Sequence, residues 1–206
     1  MLPNSDTKEV KLAGLKVAIA TPSYGNQVTV EYMRSICATF YEFAKVGIHV
    51  HLFTASDAIL VKSRNVLTKM FLDSDAEYLF FIDSDMGWDA KDAVRLIAGA
   101  QLADHKVAAA AGPQKTEQMR FCTQMVYPVQ RNETSGFLKA LSVGTAFMLI
   151  KREVLEEMAK KAPTFNAANG IGGMPVPSIF ETKIEDGEFW SEDYLFCRKY
   201  VESGVS

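Results

Sequence analysis

Along the first half of the chain, short apolar runs alternate with stretches whose apolar residues recur at three- and four-residue steps. Leu15 to Thr21 (LKVAIAT) is apolar, rich in β-branched residues and stopped by Pro22 and Gly25, which marks a buried strand. From Gln27 to Val46 the period lengthens, and Val30, Met33, Cys37, Phe40 and Ala44 form the expected buried stripe of a helix that Gly47 ends. Ile48 to Phe53 (IHVHLF) alternates as a second strand, with His49 and His51 on one face as structural residues. Val66, Leu67, Met70 and Phe71 mark the next helix, and Glu77 to Ile82 (EYLFFI) the third strand. A helix from Asp89, its expected N-cap, to about Asp104 buries Val94, Ile97, Ala98 and Leu102. Val107 to Ala111 is a fourth strand, ending at Gly112-Pro113. A β-α-β-α-β-α-β order requires crossovers, so the fold class is α/β, with a mostly parallel, Rossmann-like sheet flanked by helices.

The second half reads differently. Phe121 to Val129 and Leu138 to Ile150 are strands with no helix between them, which implies antiparallel or mixed pairing. Lys151 to Lys161 is a short helix with Val154, Leu155 and Met158 inward. Ala162 to Gly187 is a long irregular stretch rich in proline and glycine, a length that suits a functional or mobile loop. Ser191 caps a last helix, Glu192 to Ser203. Residues 1–14 are expected to form a flexible arm and 15–206 one domain, whose character changes near residue 115.

Bulk properties exclude several classes. A length of 206 residues with 48% hydrophobic and 23% charged side chains suits one packed domain, not a disordered chain. A net charge of −3 argues against a nucleic-acid partner. Three separated cysteines form no disulfide framework and suit a reducing compartment. No run reaches the length of a membrane span, and Val17 to Ala20 is too short for a signal-peptide core, so the expected location is the cytoplasm.

Open α/β sheets bind ligands at the carboxyl ends of their strands, here Thr21 to Gly25, Thr54 to Asp57, Asp83 to Asp85 and Gly112 to Lys115. Neither a P-loop nor a GxGxxG turn is present. Asp83-Ser84-Asp85 directly follows the apolar third strand, and residues i and i+2 of an extended segment face the same way. Two such carboxylates suit Mg²⁺ or Mn²⁺, which take oxygen ligands and substrate phosphates together; otherwise they belong to a polar loop leading into the next helix. Arg64-Asn65 opens the preceding helix, where an arginine either faces a phosphate or nucleobase edge or is simply solvated. Glu192 and Asp193 either favour the helix dipole or supply a positioned base. Gly144-Thr145 interrupts an apolar strand, as a bulge or as a point of close backbone approach.

Taken in order, VAIATPSYG (Val17 to Gly25), SRN (Ser63 to Asn65), LFFIDSDM (Leu79 to Met86), VGTAFMLIKREVLEEM (Val143 to Met158) and FWSEDYLFCRKYVESG (Phe189 to Gly204) resemble the GT-A glycosyltransferases. The similarity is to the inverting family 2 type and to short glycosyltransferase-like proteins of phages and bacteria, and it covers Lys16 to Gly204. The resemblance implies a GT-A fold with a mixed C-terminal part, its nucleotide-binding half over about 15–115 and its acceptor-side half over about 116–206. It also implies transfer of a hexose-type sugar from a UDP- or GDP-linked donor to a glycan or other hydroxyl acceptor. Thr21, Pro22 and Tyr24 would hold base and ribose, Arg64 would approach base or phosphate, and Gly144 and Thr145 would lie under the donor sugar and acceptor. Asp83, with Ser84 beside it, would face the ribose and Asp85 the Mn²⁺ or Mg²⁺. Asp193 would be the base, with Glu192 as alternate, while the matching Arg198 carries no assigned role. Many relatives continue with a strand and a metal-ligating histidine, which this sequence, ending at Ser206, either lacks or has lost. Two other readings are a sugar-nucleotide nucleotidyltransferase and a non-catalytic module that binds sugar nucleotides or glycans.

Overall fold

A computed structural model of the chain describes residues 10–112, 120–167 and 173–205. The expected alternation opens it: β1 (Lys16–Ser23), α1 (Val30–Val46), β2 (His49–Ser56), α2 (Leu60–Leu72), β3 (Tyr78–Ile82), α3 (Ala90–Leu102) and β4 (Val107–Ala109). Next come β5 (Thr123–Met125), β6 (Ala140–Val143), β7 (Phe147–Lys151) and α4 (Arg152–Lys161). β8 (Thr164–Asn166), β9 (Pro175–Pro177), β10 (Lys183–Glu185), β11 (Glu188–Trp190) and α5 (Glu192–Ser203) complete the chain.

The central sheet has the order β2-β1-β3-β7-β4. β1 pairs in parallel with β2 and β3, and only β7, inserted between β3 and β4, runs against the others. The expected mostly parallel sheet with a mixed C-terminal part is therefore present. Alternate residues of β3 divide between two cores. Tyr78, Phe80 and Ile82 face α1 and α3, whereas Leu79 and Phe81 face α2, α4 and α5. Nothing but buried side chains fits a strand covered on both faces, which is why EYLFFI contains no polar alternation.

Two expected helix stripes need correction. On α1 the sheet takes Tyr32, Ser35, Ile36, Thr39 and Phe43, while Val30, Met33, Cys37 and Ala44 of the expected stripe are exposed. The helix is apolar on two faces, and the buried one contains Ser35 and Thr39, which a hydrophobic count passes over. On α3 the buried face is Ala90, Ala93, Leu96, Ile97 and Ala100, so Val94 and Ala98 of the expected stripe sit at its margin. Asp89 does cap α3, accepting from the Lys91 amide at 2.9 Å, and Gly47 ends α1 in the left-handed region. Helix α4 buries Val154, Leu155 and Met158 as its spacing predicts.

The second half is more broken than its apolar runs imply. Gly144, Thr145 and Ala146 split the expected strand into β6 and β7, which belong to different sheets. The run expected as Phe121 to Val129 is extended only over β5, which pairs with β6. The stretch expected to be irregular contains two antiparallel ribbons, β8–β9 and β10–β11. The second turns at Asp186-Gly187, both with positive φ, a dipeptide that favours two-residue hairpins. Residues 1–9 of the expected arm, the Pro113 to Lys115 part of the fourth strand end, and residues 168–172 lie outside the described residues. Leu12 packs against the core, and the Gly14 amide donates to the Gly47 carbonyl at 2.8 Å. Among the described residues no helix is long and apolar enough to cross a membrane.

Candidate functional site

The site forms where β1 and β3 end and where the β6–β7 break and the start of α5 come beside them. Arg64 is its centre. Helix α2 begins at Leu60, so Arg64 lies in its second turn and not at its opening, and it is 1% exposed, which excludes a solvated arginine. Its Nη2 donates to Asp83 Oδ1 at 3.1 Å and Oδ2 at 3.4 Å, and its Nε donates to Glu192 Oε1 at 3.3 Å. The guanidinium carbon lies 5.3 Å from the centre of the Phe81 ring. One buried cation thus joins the acid at the end of β3 to the acid at the start of α5. Its Nη1, also buried, has no hydrogen-bond partner among the described residues.

The Asp83-Ser84-Asp85 turn is clamped from two sides. The Asp83 amide donates to the Ala146 carbonyl at 3.0 Å, tying the turn to the β6–β7 break. The Thr29 amide, at the N-cap of α1, donates to the Ser84 carbonyl at 2.9 Å. Further along, Trp88 is held by the polar residues of the buried face of α1: its indole donates to Thr39 Oγ1 at 2.8 Å and its carbonyl accepts from Ser35 Oγ at 2.8 Å. Those contacts explain why a core-facing helix stripe carries two hydroxyls. Asp85 is exposed on this turn.

At the start of α5, Asp193 Oδ1 accepts from the Ser191 hydroxyl and, at 2.8 Å, from the Tyr194 amide, which fixes the carboxylate at the helix start. Ser191 is the N-cap residue but spends its hydroxyl on Asp193 instead of on the helix. A Cβ placed on Gly144 would lie 3.6 Å from Asp193 Oδ2 and 3.1 Å from the Cys122 Cβ. Close approach, not a bulge, is therefore why glycine stands at 144. Thr145 beside it is 2% exposed. Burial pushes the neighbouring Cys197 thiol up to about 11, so it stays protonated and unreactive at neutral pH.

At the end of β1, Thr21 and Pro22 are buried, and the Thr21 hydroxyl shares a 2.5 Å hydrogen bond with the Tyr32 hydroxyl. Any contact Thr21 makes with a ligand would thus come from its backbone. Tyr24, in contrast, is 77% exposed just beyond the strand. Arg198 faces away into ion pairs with Glu185 and Glu202 and lies 5.1 Å from the Trp190 ring centre, joining α5 to the β10–β11 ribbon.

Asn65 has a role its sequence position did not announce. Its side chain donates to the Phe180 carbonyl at 2.8 Å and accepts from the Ile179 and Phe180 amides, both at 2.9 Å. This three-bond brace holds the segment after β9 against α2, where Phe180 stacks on Phe196 at 4.8 Å and meets Phe81 edge-on at 5.4 Å. Asn65 is one of four polar residues on the buried side of α2, with Ser63, Arg64 and Thr68, and nothing in its spacing singles it out.

No family model matches the chain, and no curated protein matches it in sequence. Solved structures do. A197 from STIV superposes with a TM-score of 0.51 at 17% identity, over 91% of this chain and 78% of A197. S. aureus TarS 1-349 superposes with a TM-score of 0.53 at 12% identity; the match covers 90% of this chain and only 55% of that one. A Drosophila β-1,4-galactosyltransferase 7 mutant, in complex with manganese, UDP-Gal and xylobiose, reaches a TM-score of 0.44 at 13% identity over 93% of this chain and 63% of its own, too low to carry an argument. With one antiparallel strand set into a parallel sheet and an acidic turn at the end of β3, the chain has a GT-A-like glycosyltransferase fold.

Proposed function

We propose that this protein transfers a sugar from a nucleoside-diphosphate sugar, UDP- or GDP-linked, to an acceptor hydroxyl, with inversion at the anomeric carbon. The observation that carries the reading is the Arg64 bridge. Two acidic motifs far apart in sequence, Asp83-Ser84-Asp85 and Glu192-Asp193, are held on one buried guanidinium at the carboxyl end of the sheet. Ligand sites of open α/β sheets lie there.

The Asp83 and Asp85 carboxylates offer the hard oxygen donors that Mg²⁺ or Mn²⁺ prefers. Among the described residues no cluster of three or more ligating side chains exists, so the substrate diphosphate and water would complete such a shell. The donor set fits a cation that arrives with its substrate, and such a cation neutralises the departing nucleoside diphosphate.

The chain's own residues would do the rest. Tyr24, with the backbone of Thr21 and Pro22, borders the base and ribose. Ser84 presents its backbone beside Asp83, and Gly144 and Thr145 leave room for the donor sugar next to Asp193. Asp193 accepts the proton of the acceptor hydroxyl as that oxygen bonds to the anomeric carbon and the bond to the diphosphate breaks. Glu192 is already committed to Arg64, which favours Asp193 over Glu192 as the base.

Asp193→Asn should lower transfer by about 10³-fold while nucleoside-diphosphate binding, read by thermal shift with Mn²⁺, persists. Asp85→Ala should remove the Mn²⁺-dependent part of that shift. Undiminished metal-dependent binding in Asp85→Ala would overturn the metal assignment. Donor binding without hydrolysis or transfer over a broad acceptor panel would make the protein a binding module instead.

A further inference from the structure

We propose that α1 is a self-association surface, pairing antiparallel with α1 of a second copy of this chain. The apolar stripe Val30, Met33, Cys37, Tyr41 and Ala44 runs the length of the helix at three- and four-residue steps, and it faces outward. Val30, Met33 and Tyr41 are each more than half exposed, at 61%, 54% and 66%. The opposite face already rests on the sheet, so α1 is apolar on both sides. A solvent-facing helix surface has no need of such a stripe.

The charges say what covers it. Helix α1 contains four charged residues, Glu31, Arg34, Glu42 and Lys45, and helical geometry places all four on one flank of the stripe. Glu31 and Lys45 each lie seven residues from Ala38, and Arg34 and Glu42 each lie four. Reversing the helix about Ala38 therefore sets every charge against its opposite. In a two-fold antiparallel pair the same flanks of the two helices meet, so Glu31 faces Lys45 of the second copy and Arg34 faces Glu42. A parallel arrangement would set this flank against the partner's uncharged one and leave all four charges without a complement. Glu42 and Lys45 pair at 3.1 Å within one chain, and that contact would open into the intermolecular ones. The same reversal leaves the two Cys37 thiols about 3 Å apart along the helix axis, close enough to cross-link.

The inference is independent of the transfer reading, and its test needs no substrate. Sedimentation equilibrium of the full chain under reducing conditions should show a concentration-dependent dimer. Arg34→Glu should weaken association by about tenfold or more, because it sets two like-charge pairs across the axis. The double variant Arg34→Glu/Glu42→Arg should recover it. Met33→Glu, checked as folded by circular dichroism, should abolish association, and mild oxidation should link wild-type chains but not Cys37→Ser. A monomer at all concentrations, or a dimer indifferent to Arg34→Glu, would overturn the proposal. So would a failure of the double variant to rescue a folded Arg34→Glu chain.

Discussion

At the amino end of the β3 strand, Arg152 gives every arm of its guanidinium to backbone. It donates to the carbonyls of Ala76 at 2.6 Å, Phe71 at 3.0 Å, Ser74 at 2.9 Å and Leu72 at 3.3 Å, while stacking 4.4 Å from the centre of the Phe71 ring. These carbonyls close the C-terminal end of α2, where a cation is favoured by both hydrogen bonding and the helix dipole. At the carboxyl end, Arg64 gives Nη2 and Nε to two carboxylates, and its buried Nη1 has no hydrogen-bond partner among the described residues. The surrounding charges differ in the same way. Asp104, Lys106, Lys151 and Glu153 at the amino end form a mutually satisfied network, in which hydrogen bonds from Lys151 and Lys106 hold the Asp104 carboxyl down at about 2. At the amino end the charged groups of Arg152, Asp104, Lys106, Lys151 and Glu153 are all paired. At the carboxyl end the guanidinium joins acids that belong to different motifs.

The two arginines should respond differently to removal. Arg64→Met should cost about 3 to 5 kcal/mol in denaturant unfolding, because it strands two partly buried carboxylates, and should also eliminate donor-induced thermal stabilisation. Adding Asp83→Asn and Glu192→Gln should restore most of the stability but none of the donor response; restored binding would show that Arg64 is only structural. Arg152→Met should cost about 2 to 3 kcal/mol through the lost charged hydrogen bonds, with the donor response of the folded protein intact. A change in donor affinity there would erase the distinction between the two ends.

Asn65→Ala should cost about 2 kcal/mol, since it leaves two amides and a carbonyl of the Ile179–Phe180 segment unpaired. Hydrogen exchange should report faster opening of those amides and little change in β1 and β3. The smallest effect concerns Asp104. Its folded pKa lies below the ordinary value, so its contribution is present above about pH 4 and is lost as pH falls towards 2. The side chain is largely exposed, so Asp104→Asn should cost less than about 1 kcal/mol at neutral pH, with the difference vanishing in acid and shrinking in high salt.

Much of this fold was readable from local pattern. EYLFFI was legible as the third strand, Asp89 and Gly47 capped their helices as short-range chemistry dictates, and the Asp-Ser-Asp turn sat at that strand's end. The reading of α1 failed because apolar spacing marks two faces and does not say which one meets the sheet. That choice was made by Ser35 and Thr39, whose partner Trp88 lies some fifty residues away. The β10–β11 ribbon was legible in Asp186-Gly187, but the proline- and glycine-rich surroundings obscured it.

The alternation of strands and helices in the first half, the buried face of α4 and the caps at Asp89 and Gly47 follow from sequence because they rest on forces between near neighbours and on the simple partition of apolar surface from water. The union of Arg64, Asp83 and Glu192, the brace from Asn65, and the close approach of Cys122 to Gly144 are products of tertiary structure alone. Each depends on where distant segments come to rest, and a charged side chain reads the same in sequence whether it ends in water or against its opposite.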